Sequence, residues 1–173
     1  MNGALDEGAT VLTTADQDRL TTEWLARAHP VPRQAHAEWS QQGVALLPLG
    51  KLFAAVRLPG ALVHAAIGYE KPELVAIALR QCLRGPVIHD HRTVGRTYYA
   101  LIQWHAGLVW DYGDAAPCLH GDVYLGVPRL DRQEPPGTFW VVPPRYDGDL
   151  CRPELVRELI NVGRHQLAPD ESE

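Results

Sequence analysis

The spacing of apolar positions changes once along this chain, near Gly43. Before it, Leu20, Trp24, Leu25 and Ala28 recur at helical spacing on one face, and Pro30 stops the run. Thr14-Ala15-Asp16-Gln17 reads as a capping box, in which the Thr14 hydroxyl and the Gln17 amide cover each other's orphan N–H groups. A second helix is expected over Pro32–Gln42, with Ala35 and Trp39 on one side and Gly43 as its stop. Trp24 and Trp39 are read as packing residues of a helical hairpin.

After Gly43 the pattern shortens. Val44-Ala45-Leu46-Leu47 and Phe53-Ala54-Ala55-Val56 are continuous apolar runs around Pro48-Leu49-Gly50, the pattern of buried strands about a tight turn. Pro59-Gly60 opens a short helix with Leu62, Val63, Ala66 and Ile67. Pro72 then opens a longer one carrying Leu74, Val75, Ala78, Leu79 and Cys82, which Gly85-Pro86 closes. Strands are expected at 86–89, 96–103, 122–127 and 138–142, with a polar loop at 129–137. A last amphipathic helix is expected at 151–162, with Leu155, Leu159 and Ile160 facing inward. The fold class is therefore α+β: a mixed or antiparallel sheet with helices packed on one side, preceded by an N-terminal helical hairpin. Residues 1–13 read as a flexible lead, 14–167 as a single domain (hairpin 14–42, core 43–167) and 168–173 as an acidic tail.

Composition narrows the function classes. The 173 residues carry 16 Lys and Arg against 21 Asp and Glu, a net charge of −5. A protein that grips nucleic acid with its whole surface carries the opposite sign. Three cysteines, Cys82, Cys118 and Cys151, are too few and too scattered for a disulfide framework. The first ten residues include Asp6 and Glu7 and no apolar run, and no apolar stretch approaches the ~18 residues of a membrane span. A cytoplasmic location without membrane contact is expected.

Three groups of residues carry candidate chemistry. His89-Asp90-His91 places two imidazoles two apart, on one face of a strand, and Cys118-Leu119-His120 repeats that spacing. His89, His91, Cys118 and His120 together supply three nitrogens and one sulfur, enough for a tetrahedral zinc site, although neither pair has a recognised metal spacing. The alternative is hydrogen-bonded histidines at strand ends with no cofactor at all. Tyr98, Tyr99, Trp104, Trp110 and Tyr112 cluster in sequence with Arg92 and Arg96, a mixture that either stacks bases or forms an ordinary sheet face with flanking cations. His64 reads as a satisfied core histidine, and Ser40 lacks the strained turn of a nucleophilic serine. There is no phosphate-binding P-loop and no dinucleotide fingerprint.

Taken in order, these elements resemble the bifunctional DNA primase/polymerase N-terminal domain, a branch of the archaeo-eukaryotic primase superfamily. The segment 43–59 looks like that family's first strand pair. Gly85-Pro86-Val87-Ile88 and Gly95-Arg96-Thr97-Tyr98-Tyr99 are similar to its glycine-rich turn and aromatic strand. Asp122-Val123-Tyr124-Leu125-Gly126-Val127-Pro128, with Pro136-Gly137-Thr138-Phe139-Trp140 and Val142-Pro143-Pro144, looks like its late β-hairpin. The resemblance covers residues 43 to 160.

The departures from that pattern decide the expected activity. Nucleotidyl transfer needs clustered carboxylates to hold two divalent metals. Between Glu38 and Glu70 the chain has no Asp or Glu, Thr97 stands where the family has its nucleotide-contacting histidine, and Asp122 alone could match the last acidic position. The resemblance thus implies a catalytically degenerate module that binds a protein partner, a nucleotide or a single-stranded nucleic-acid end, with Arg57, Arg92, Arg96 and Tyr98 as its ligand-binding residues. One alternative is a metal-dependent hydrolase or nucleotidyl-transfer enzyme built on His89, Asp90, His91 and His120. Another is a self-associating assembly subunit that uses the hairpin around Trp24 and Trp39.

Overall fold

A computed structural model describes residues 11–90 and 95–169. They form helices α1 (Thr14–Ala26) and α2 (Pro32–Gln42), strands β1 (Val44–Pro48) and β2 (Phe53–Pro59), then helices α3 (Gly60–Ile67) and α4 (Pro72–Leu83). Strands β3 (Val87–Asp90) and β4 (Thr97–Gln103) follow, then a 3-10 helix (Trp104–Val109), β5 (Cys118–Leu119), β6 (Tyr124–Pro128), β7 (Phe139–Val142) and α5 (Pro153–Leu167). Proline sits in the first turn of α2, α4 and α5, where its missing N–H costs nothing. The capping box of α1 lies one residue earlier than expected: the Thr13 hydroxyl accepts from the Asp16 N–H, and the Asp16 carboxylate accepts from Thr13. Gln17 instead reaches across to Asp147 at 3.4 Å.

Five strands make one antiparallel sheet in the order β5-β2-β4-β3-β7. Alternate residues of β2 feed two cores. Ala54, Val56 and Leu58 pack with Leu62 and Val63 of α3, Val75 and Leu79 of α4, and Val156 and Ile160 of α5. Phe53 and Ala55 pack on the other face with Leu25 of α1, Trp39 of α2, and Ala45, Leu47, Leu125 and Val127 of β1 and β6. The expected α+β class holds, with α3, α4 and α5 on one side of the sheet and the N-terminal helices against the opposite one.

Strand pairing differs from expectation in two places. β1 and β2 do not pair around Pro48-Leu49-Gly50; β1 joins β6 in a separate two-stranded ribbon, Leu46 opposite Gly126. β6 and β7 likewise form no hairpin, because β7 joins the large sheet beside β3. The reason lies in burial. β1 alternates buried and open residues and needs one covered face, whereas β2 is buried along Phe53 to Val56 and takes an interior place in the sheet, between β5 and β4. Asp122, expected within a strand, precedes β6 and has a left-handed backbone, φ +54°. The last helix runs five residues beyond 162, to Leu167.

Two indoles lock the ribbon in place. Trp39 Nε1 donates to the Val127 carbonyl and Trp140 Nε1 to the next one, Pro128, each at 2.9 Å and each buried. The end of β6 is thereby fixed to α2 and to β7 at once. Trp24 is only half-buried, tilted against Phe53 at 6.0 Å, so the two hairpin tryptophans are not equivalent. Trp39→Ala is expected to cost about 3–5 kcal/mol of unfolding free energy, and Trp24→Ala less than half as much. Urea denaturation of the two variants measures both; equal losses would contradict this packing.

Candidate functional site

Where the chain leaves β2 it enters α3 at Gly60, and the last residue before β4, Arg96, lies against it. The Gly60 N–H donates to the Arg96 carbonyl at 2.8 Å. A Cβ on Gly60 would stand 2.7 Å from that oxygen and 2.9 Å from the Arg96 Cβ, so only glycine allows this approach. The Arg96 guanidinium in turn donates to the Glu70 carbonyl at 3.2 Å. With its backbone and its head both held, exposed Arg96 faces an open groove of about 560 Å³ lined also by Gly60, Ala61, His64, Glu70, Lys71 and Pro72.

Behind Arg96, rings line the helix-covered face of the sheet. His64 Nε2 and the Tyr98 hydroxyl are hydrogen-bonded at 2.9 Å, with the rings edge to face at 5.7 Å. His89 stands edge-on to Tyr98 at 5.1 Å and tilted on Phe139 at 4.8 Å. Partial burial, and then the Arg96 charge, lower the His64 pKa below the usual histidine value, with Glu70 opposing. Burial raises the Tyr98 pKa, against the charge and hydrogen bond of Arg96. Both groups are therefore held neutral near pH 7, beside a permanent cation.

The sequence-derived candidates do not converge as one set. Arg96 lines this groove and Tyr98 stands buried behind it, its hydroxyl on His64. Arg57 does not join them: it alternates with Leu58, pairs across the sheet with Tyr99, and emerges on the face opposite Tyr98. Arg92 and His91 lie outside the described residues. Nor do the aromatics form one stacking platform, since Tyr98 and Tyr99 serve opposite faces and Trp110 packs with Tyr112 beneath Arg157.

The zinc constellation is likewise divided. His89 is on β3 and Cys118 on β5, with β4 and β2 between them. Three strand spacings are roughly 14 Å, far beyond the reach of two ligands on one ion. Burial pushes the Cys118 thiol up to about 11, which keeps it protonated at neutral pH. Among the described residues no three His, Cys, Asp or Glu side chains are grouped to hold a metal.

Sequence reasoning missed Lys71 and gave His64 only its packing role. Lys71 is one of only two lysines and directly precedes Pro72 at the start of α4, a signal the sequence itself carries. His64 is half-buried and bonded, as a core histidine would be, yet it also lines the groove. No protein-family model matches the chain, and no curated protein or solved structure is significantly similar to it.

The lowered His64 pKa has a consequence for stability. Below about pH 6.5 the unfolded chain protonates this histidine while the native chain resists, so the unfolded state binds more protons. This contribution to stability is complete above that pH and is lost as pH falls toward the native pKa. His64→Gln is expected to show a shallower loss of stability between neutral and mildly acidic pH, read from thermal midpoints. Parallel slopes in both proteins would contradict it.

Proposed function

We propose that this chain is a catalytically degenerate primase/polymerase-like module that binds its ligand without turning it over. The ligand is anionic, the phosphate of a nucleotide or of a nucleic-acid end, and its seat is the groove of Arg96, Lys71 and His64. The observation that carries this reading is the doubly anchored Arg96, presented to an open groove beside Lys71. Arginine forks onto phosphate with paired N–H donors, and the anchoring of its backbone and head lowers the ordering cost of that contact. The absence of acidic residues between Glu38 and Glu70 supports binding without nucleotidyl transfer, because no carboxylate on β2 is there to hold catalytic metal.

Each charge-assisted bond to phosphate contributes about 1.5–3 kcal/mol, so Arg96→Ala should weaken binding by roughly tenfold to a hundredfold. Calorimetric titration with ATP at low and moderate salt measures this. The expected result is binding that weakens with salt and largely disappears in Arg96→Ala, with no primer extension in magnesium or manganese. Binding indifferent to Arg96, no binding at low salt, or template-directed incorporation would overturn the reading.

A further inference from the structure

Next to the anion groove, and separated from it by Pro72 and Tyr98, lies a second cavity of about 400 Å³ with different chemistry. It opens between the first turn of α4 and the segment 133–141. Its inner wall is apolar, from Val75 and Val141, and its aromatic wall comes from Tyr98 and Phe139. Among the described residues, its acidic lining groups are Glu73 and Glu134, both exposed, and buried His89 also lines it. The neighbouring groove presents two cations, Arg96 and Lys71, against one carboxylate, Glu70; this cavity presents carboxylates and ring faces.

We propose that this cavity receives a cationic side chain, arginine or lysine, carried on an exposed segment of a partner protein. The two parts of such a side chain match the two parts of the cavity. Its aliphatic stem packs along Val75 and Val141 while its charged head reaches the carboxylates. Tyr98 and Phe139 add ring faces, which attract a cation held within about 6 Å of their centroids. A phosphate-bearing ligand meets two negative charges here and is repelled. A wholly apolar side chain leaves both carboxylates without a counter-charge. The net charge of −5 draws a basic partner toward the molecule before contact. This assignment does not rest on the anion groove, and either site can exist without the other.

The test is an NMR titration that reads the Val75 and Val141 methyl groups at fixed neutral pH. The probes are Nα-acetyl-arginine amide, Nα-acetyl-lysine amide, the uncharged Nα,Nε-diacetyl-lysine amide, and AMP. Both cationic amides are expected to shift these methyls in a saturable way, and the diacetylated amide is not. The double substitution Glu73→Gln, Glu134→Gln should weaken the cationic amides at least tenfold without moving the thermal midpoint, since both side chains are exposed. Arg96→Ala should not weaken their binding, since it removes a cation beside Tyr98, and this separates the site from the anion groove. The proposal fails if neither cation shifts the methyls, if the diacetylated amide does so equally, or if the double variant binds as the native protein does. It also fails if AMP is the stronger ligand, which would make the cavity a base pocket.

Discussion

Strand β2 lies at the centre of the molecule with cover on both faces, α3, α4 and α5 on one side and the N-terminal helices with the β1–β6 ribbon on the other. From Phe53 to Val56 no residue of it reaches solvent, and its two alanines let both layers approach closely. An uncompensated carboxylate in such a strand costs several kcal/mol, a large part of the 5–15 kcal/mol that holds a domain folded. The same burial that organises the fold therefore keeps acidic residues off this strand, in keeping with the binding-only reading proposed above. Charge reappears only at Arg57, near the end of β2, where the side chain is exposed.

What the buried middle of β2 cannot carry, its end can. At the point where β2 passes into α3, Gly60 admits the Arg96 backbone, and the Glu70 carbonyl receives the Arg96 head. The hydrogen-bonded His64–Tyr98 pair stands behind that arginine, and both members are held neutral, so the local charge is set by Arg96, Lys71 and the nearby Glu70. A few residues away the lining changes sign at Glu73 and Glu134. The start of β4 thus carries two adjoining cavities of opposite preference, one at Arg96 just before the strand and one at Tyr98 within it.

The elements were legible in the sequence because proline and glycine punctuate them: Pro32, Pro59-Gly60, Pro72 and Gly85-Pro86 lie at or beside element ends. Pairing was not legible. Pro48-Leu49-Gly50 has the composition of a hairpin turn, yet the partner of β1 is β6, some eighty positions away, fixed by the Trp39 and Trp140 indoles on adjacent carbonyls. No local pattern encodes such a contact. The site was half legible for the same reason. Arg96 and Tyr98 are neighbours in sequence and in space, and so could be found. Arg57 was grouped with them on the resemblance, and the unbroken apolar run before it gives no period-two signal to show which face it takes. His89 and Cys118 share the local spacing of metal ligands, but strand order, a non-local property, keeps them apart.

The central claim, an anion seat where β2 passes into α3, is tested most directly by titrating the amide-labelled protein with inorganic pyrophosphate and mapping the shifted backbone signals. The account predicts saturable shifts confined to Gly60, Ala61, His64, Lys71 and Arg96, with the amides of a second arginine-lined groove of about 1020 Å³, formed by Gly43, Arg129 and Arg132, unmoved. Shifts centred on Gly43 and Arg132, or no saturable shift at all, would contradict it.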